Sequence, residues 1–154
     1  MTPQLVYTAQ SKQHFYCRDA VCEYVFKRGA VPLNPFRAFD YFLGDRVPRE
    51  MVREGNQRLI AASDQLWVFG TTLADGVVVE LAQATRLGIP VKFFTIGASV
   101  AEIHEVAPDR VDFELEVLEL TGLRAPEMRA HVLCGQAETV VHALGRVGEV
   151  RDRV

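Results

Sequence analysis

The sequence lacks the features that place a protein in a membrane, on a nucleic acid or outside the cell. No apolar run approaches the ~20 residues of a membrane span, and a net charge of -3 offers no broad basic face to a nucleic-acid polymer. The first residues, MTPQLVYTAQ, have no basic stretch followed by an apolar one, as a secretory signal has. The three cysteines form no CxxC motif, which argues against a disulfide framework and for the reducing cytoplasm.

Motifs typical of cofactor and metal sites are also missing. The chain has no Walker phosphate loop, no GxGxxG and no GxSxG. The histidines are scattered. His131 and Cys134 have i,i+3 spacing on one predicted helix, but two ligands do not make a zinc site. We therefore expect neither a metal nor a cofactor.

The pattern that is present is an alternation of short β-rich runs with helical spacing. A chain of 154 residues, 49% of them hydrophobic, can build its own core, so we expect a single domain over residues 1–154. The predicted strands cover 5–9, 30–35, 64–70 and 89–96, and the predicted helices cover 13–29, 48–63 and about 76–88. This order predicts an α/β fold, a flavodoxin-like three-layer sandwich. Its mainly parallel sheet would have four or five strands in the order 2-1-3-4, with any fifth strand at the end.

The last third of the chain gives weaker patterns. VDFELEV (111–117) alternates apolar and acidic residues, which predicts a half-buried strand without excluding a helix. PEMRAHVLCGQAETVVHALGR (126–146) has the spacing of a final helix.

Three loops should meet in one crevice, because ligands of open α/β sheets bind beyond the carboxyl ends of the strands. These loops are AQSK (9–12), NPFR (34–37) and GTTLADG (70–76). The side chains that they bring are Ser11, Asn34, Arg37, Thr71, Thr72 and Asp75.

The helix after GTTLADG carries the carboxylate of greatest interest. Its free backbone N–H groups favour an anion in the crevice, and Asp75 is expected either to cap the helix or to contact substrate. Glu80 lies on the border between the apolar face and the solvent stripe marked by Gln83 and Arg86. A surface position is therefore one interpretation. Because helical side chains lean toward the N-terminus, Glu80 can also reach the crevice.

The stretch DGVVVELAQATRLGIPV, placed after a hydrophobic strand, resembles the nucleoside 2-deoxyribosyltransferase superfamily. That group includes transferases and related N-glycoside hydrolases on a flavodoxin-like fold. Its members carry a Gly four residues before a helical Glu, as Gly76 and Glu80 stand here, and LGIPV, LIAASDQLWVFG and VYTAQS add to the likeness over roughly residues 4–96. Members often place an Asp two residues before the Gly and a hydroxyl residue after it. Here Asp75 adjoins Gly76 and Val77 follows.

The resemblance implies chemistry at the N-glycosidic bond of a nucleoside or nucleoside 5′-monophosphate. Glu80 would be the nucleophile that attacks the anomeric carbon, and Asp75 would hold a sugar hydroxyl or relay a proton to the base. Arg37, or the helix N-terminus with Ser11, would hold a 5′-phosphate. Residues that could flank the base are Tyr7, Phe36 and Trp67, and the candidate substrate-binding residues together are Tyr7, Ser11, Asn34, Arg37, Thr71 and Gly76.

The resemblance also implies a homodimer or larger homo-oligomer, with a small-molecule nucleoside or nucleotide as the partner. Two other interpretations stay open. One is a phosphoribohydrolase of the cytokinin-activating type, whose loop is richer in glycine than FGTTLADG. The other is a non-catalytic nucleotide-binding or interaction module on the same fold, which the missing hydroxyl after Gly76 favours.

Overall fold

The structure is a computed structural model that describes residues 2–39 and 46–133. Its strands are β1 (Leu5–Gln10), β2 (Val31–Leu33), β3 (Gln65–Phe69), β4 (Thr72–Leu73), β5 (Val91–Phe94), β6 (Glu105–Val106) and β7 (Asp112–Phe113). Its α-helices are α1 (Arg18–Lys27), α2 (Pro35–Ala38), α3 (Arg49–Ala61), α4 (Asp75–Arg86), α5 (Leu115–Thr121) and α6 (Ala125–Leu133). Short 3-10 helices cover Lys12–Cys17, Val100–Glu102 and Pro108–Arg110.

The main sheet is mixed but mostly parallel, with the strand order β2-β1-β3-β5-β6. Strands β2, β1, β3 and β5 are parallel to their neighbours, whereas β6 runs antiparallel to β5. Strands β4 and β7 form a separate parallel pair. The predicted α/β class with a mainly parallel sheet is confirmed, and β6 is what makes the sheet mixed.

Strand β2 lies at an edge of the described sheet, as a proline within it predicts. The N–H of Val31 donates to the carbonyl of Gln4, on the side of β1, at 2.9 Å. Because hydrogen-bonding directions alternate along a strand, the outward-facing position belongs to Pro32, which has no N–H. This edge therefore offers no donor at its centre to an added strand.

Apolar residues pack on both faces of the sheet. On one face Val21 and Val25 of α1 belong to a buried cluster with Val6, Trp67 and Phe94. On the other face α3, α4 and α6 contribute to a larger cluster, whose members include Tyr7, Ala9, Ile60, Leu66, Val68, Val77, Val78, Leu81 and Met128. Val6 and Tyr7 fall in different clusters because successive strand residues point to opposite faces.

Residues 111–117 do not form the predicted strand. Only Asp112–Phe113 pair as β7, and α5 begins at Leu115. Val111 and Phe113 are buried, as alternation predicts, but Leu115, the first residue of α5, is 70% exposed, so the alternation ends where the helix begins. The predicted helix 126–146 is confirmed over the part that α6 covers, and its remainder lies outside the described residues.

Candidate functional site

The structure brings two of the predicted site residues into direct contact, Tyr7 and Glu80. Tyr7 is fully buried in β1, and its phenol O–H donates a hydrogen bond to Glu80 Oε2. Glu80 is partly buried in the second turn of α4, between the core residues Val77 and Leu81 of the same helix. The border position of Glu80 therefore turns its carboxylate toward the sheet and away from bulk water.

Burial controls the protonation of this pair. It raises the pKa of Glu80 to about 7, although the hydrogen bond from Tyr7 acts to lower that pKa. Burial, followed by the nearby charge of Glu80, raises the pKa of Tyr7 well above its usual value. Tyr7 therefore remains a hydrogen-bond donor while Glu80 gains and loses its proton near neutral pH, as groups at reaction centres often do.

Asp75 does not cap α4, so the capping prediction is wrong. The helix begins one residue earlier than expected, with Ala74 in an extended conformation (φ -80°, ψ 166°) as its N-cap. Asp75 is therefore the first helical residue, and its Oδ1 accepts a hydrogen bond from the N–H of Gly76 at 2.8 Å. Gly76 is exposed, and a Cβ added to it would meet no atom within 4 Å. Both residues lie at the open N-terminus of the helix that carries Glu80.

The side chain of Asn34 forms its hydrogen bonds with other residues of the protein. It is 3% exposed, and its side-chain N–H groups donate to Thr8 Oγ1 at 2.9 Å and to Gln10 Oε1 at 2.8 Å. Ser11 is also buried, and its Oγ accepts from the N–H of Gln13 at 3.3 Å as the cap of the 3-10 helix. These two predicted site residues thus order the loops after β2 and β1.

Arg37 lies beside α1. It forms an ion pair with Asp19 of α1, and both side chains are more than half exposed. It also lines an open groove of about 430 Å³ with Cys22 and Phe26 of α1 and Leu33 of β2. The structure therefore associates Arg37 with the α1 face of the sheet, whereas Glu80 belongs to a helix on the opposite face.

Thr71 lies in a loop that is hydrogen-bonded to the segment around β7. Its carbonyl accepts from the N–H of Asp112 at 2.7 Å, and the N–H of Glu114 donates to the carbonyl of Leu73 at 3.0 Å. These bonds extend the pairing of β4 with β7. The segment around β7 thus fixes the loop that leads into α4, which the sequence patterns did not indicate.

Two of the aromatic residues predicted to flank a base are in the core. Tyr7 is fully buried and Trp67 is 4% exposed, so neither offers a free ring face. Phe36 is partly buried in α2. Tyr16, which the sequence analysis did not single out, is 60% exposed in the 3-10 helix after β1. Thr8 and Gln10 were missed as well, although LVYTAQ carries polar residues in an otherwise apolar strand.

A search of the described ranges for metal ligands and membrane spans returned neither. In residues 2–39 and 46–133, no group of three His, Cys, Asp or Glu side chains is arranged to hold a metal ion. In the same ranges, no helix combines the length and the apolarity needed to cross a membrane.

These observations define an α/β protein with a mostly parallel sheet and a buried tyrosine–glutamate pair between β1 and the helix after β3. Residues 6–94 match the family described as "Domain of unknown function (DUF7768)", and the chain belongs to that family. The match runs from β1 to the end of β5, so it includes Tyr7 and Glu80. A search of curated proteins found no match.

Proposed function

We propose that this protein cleaves or transfers the N-glycosidic bond of a nucleoside or nucleoside 5′-monophosphate, with Glu80 as the nucleophile. The observation that carries the proposal is the hydrogen bond from buried Tyr7 to the Glu80 carboxylate. One carboxylate oxygen is held by this donor, which leaves the other to approach an anomeric carbon.

The reaction would proceed in two displacements. A Glu80 oxygen attacks the anomeric carbon, the bond to the base nitrogen breaks, and the base leaves with the electron pair and takes up a proton. Water then attacks the glycosyl ester and releases the sugar, or a second base attacks and completes a transfer. The carboxylate also stabilises the oxocarbenium-like transition state between these states.

The start of α4 and the loop after β1 are where we expect contacts to a polar, anionic substrate. The N-cap residue of α4, Ala74, makes no side-chain hydrogen bond, so the positive end of the helix dipole can attract a phosphate, and the Asp75 carboxylate, which accepts from the Gly76 N–H through Oδ1, can accept from a sugar hydroxyl through its other oxygen. Tyr16 supplies an exposed aromatic ring after β1, where the loops of a flavodoxin-like sandwich would converge. In this proposal the protein works in the cytoplasm as a homo-oligomer.

A non-catalytic nucleotide-binding module is the second candidate. The observation that favours it is Val77, which is 3% exposed and belongs to the core where the resembled superfamily often has a hydroxyl residue. Such a protein would bind a nucleotide without breaking it. A phosphoribohydrolase of the cytokinin-activating type is a third candidate, whose loop is richer in glycine than FGTTLADG.

Base release distinguishes these candidates. The protein is incubated with a panel of ribo- and deoxyribonucleosides and their 5′-monophosphates, and free base is measured by chromatography, with Glu80→Gln as the matched variant. Base release that Glu80→Gln abolishes supports the hydrolase. Exchange that requires a second base supports the transferase, and saturable binding without release supports the module.

A further inference from the structure

Buried polar side chains in the described residues are concentrated at one place. Of the five polar residues found buried there, Thr8 and Gln10 lie in the second half of β1, Ser11 and Asn34 directly follow β1 and β2, and Ser63 lies before β3. Burying a polar group costs free energy unless its hydrogen bonds are replaced. Apolar side chains could fill the same space without needing hydrogen-bond partners. Buried polar side chains there instead fix the relative positions of the segments that they connect.

Within this set, Thr8 and Gln10 are joined through one side-chain amide, that of Asn34. Asn34 donates to Thr8 and to Gln10, and its Oδ1 accepts from the N–H of Phe36 at 3.0 Å. Gln10 Nε2 in turn donates to the carbonyl of His14 at 2.7 Å. Both amide hydrogens of Asn34 are therefore used, and the side chain joins β1, the 3-10 helix after β1 and the start of α2.

We propose that Asn34 is a positioning residue, which with Thr8 and Gln10 forms a polar clamp that holds segments 9–17 and 34–38 as one unit. The clamp replaces the substrate contact predicted for Asn34. Because these two segments follow neighbouring parallel strands, their relative placement sets one wall of the crevice. The kinetic consequence rests on the proposed function, whereas the coupling of the two segments does not.

A simpler role for Asn34 would be to cap α2 alone. The bond from the N–H of Phe36 to Asn34 Oδ1 is such a cap. Thr8→Val separates the two roles, because it keeps the shape of the side chain and this cap but removes an acceptor of Asn34. Ser63→Ala is the control. Ser63 is also buried, and its hydroxyl donates to the carbonyl of Leu59 at 2.8 Å. It precedes β3, however, and so lies at the edge of the sheet opposite to Asn34.

Hydrogen exchange monitored by mass spectrometry tests the clamp in the full chain. In Thr8→Val and in Asn34→Ala, we expect exchange to accelerate by about tenfold or more in both 9–17 and 34–38, with α4 little changed. Ser63→Ala should leave both segments at the wild-type rate. Acceleration in 34–38 only for Asn34→Ala, with Thr8→Val unchanged, would overturn the clamp in favour of a cap. Equal acceleration throughout the chain would also overturn it.

Steady-state kinetics with the best substrate of the base-release panel test whether the clamp affects substrate binding. Asn34→Ala should raise KM by about tenfold or more while kcat falls by less, because the clamp shapes the binding wall and leaves Glu80 in place. A fall in kcat with KM unchanged contradicts the positioning role. If the wild-type protein releases no base, the proposed function fails, and the exchange comparison still decides for or against the clamp.

Discussion

At the scale of single residues, the Tyr7–Glu80 pair combines a fully buried donor with a partly buried acid. The raised pKa of Glu80 means that folding favours its neutral form. The stability that neutral Glu80 contributes is complete below its usual pKa of 4.5 and is lost as the pH rises through about 7. Proton uptake at this one site therefore couples stability to pH in a range where few side chains titrate.

The first prediction concerns the free energy of unfolding as a function of pH. Relative to Glu80→Gln, which cannot ionise, the wild-type protein should lose stability between pH 4.5 and about 7 and level off above that range. Urea denaturation at half-unit pH steps measures the difference between the two curves. Parallel curves across this range would show that Glu80 has an ordinary pKa in the folded state.

The second prediction concerns the donor. Tyr7→Phe removes the hydrogen bond that lowers the pKa of Glu80, so the pKa of Glu80 should rise above its wild-type value of about 7. Carbon-13 NMR titration of the Glu80 carboxyl carbon measures both proteins directly. An unchanged or lower midpoint in Tyr7→Phe would mean that the phenol does not stabilise the carboxylate.

At the scale of elements, two glycines test the geometry at the carboxyl end of β5 and at the start of α4. A Cβ added to Gly97 would overlap Cβ of Glu102, whereas one added to Gly76 would meet nothing within 4 Å. The 3-10 helix Val100–Glu102 thus packs against Gly97 too closely for any side chain there, while α4 begins in open space.

The third prediction follows from this contrast. Gly97→Ala should lower the free energy of unfolding by about 1–3 kcal/mol through overpacking, while Gly76→Ala should raise it by up to about 1 kcal/mol because alanine favours the helix. Chemical denaturation measures both. A stable Gly97→Ala protein would contradict the packing described for residues 97–102. Loss of activity in a stable Gly76→Ala protein would assign Gly76 to the substrate.

Strands and helices are predictable from the sequence where the local spacing of apolar residues determines which of them are buried. The apolar run before GTTLADG predicts a strand over 64–70, and β3 covers Gln65–Phe69, because a buried parallel strand needs apolar residues on both faces. The strand predicted over 111–117 is wrong beyond Phe113, because α5 begins at Leu115 and buries Val117 while Leu115 faces solvent. The pairing of β4 with β7 involves residues far apart in sequence, and no local pattern encodes such a contact.

The contacts of the candidate site residues are predictable from the sequence only in part. The position of its helix and the resemblance point to Glu80, whereas the base-flanking role predicted for Tyr7 does not fit its burial against Glu80. Asn34 and Arg37 were assigned to the crevice because their loop follows β2. Their actual partners, Thr8, Gln10 and Asp19, depend on which face each side chain takes. That choice is made by tertiary packing and is not visible in one sequence.

At the scale of the whole molecule, one sheet is shared by two apolar clusters, so neither cluster is expected to survive alone. The single tryptophan, Trp67, belongs to the cluster on the α1 face, whereas Leu81 of α4 belongs to the opposite one. A substitution that destabilises one cluster should therefore lower the unfolding midpoint of both, as expected for a cooperative domain of this length.

The fourth prediction tests this coupling. Leu81→Ala should lower the free energy of unfolding by about 2–5 kcal/mol and shift the urea transitions of Trp67 fluorescence and far-ultraviolet circular dichroism together. The two probes sample different parts of the molecule in one experiment. A fluorescence transition that stays at the wild-type midpoint, while the dichroism transition moves, would show that the two faces unfold separately.

The nucleophilic role proposed for Glu80 requires a covalent bond between its carboxylate and the sugar, and this bond can be trapped. A nucleoside with fluorine at C2′ slows breakdown of the ester, so intact-protein mass spectrometry should show one added glycosyl group, and peptide mapping should locate it on Glu80. The matched Glu80→Gln protein should remain unmodified. An adduct on another residue, or base release by Glu80→Gln at the wild-type rate, would show that Glu80 is not the nucleophile.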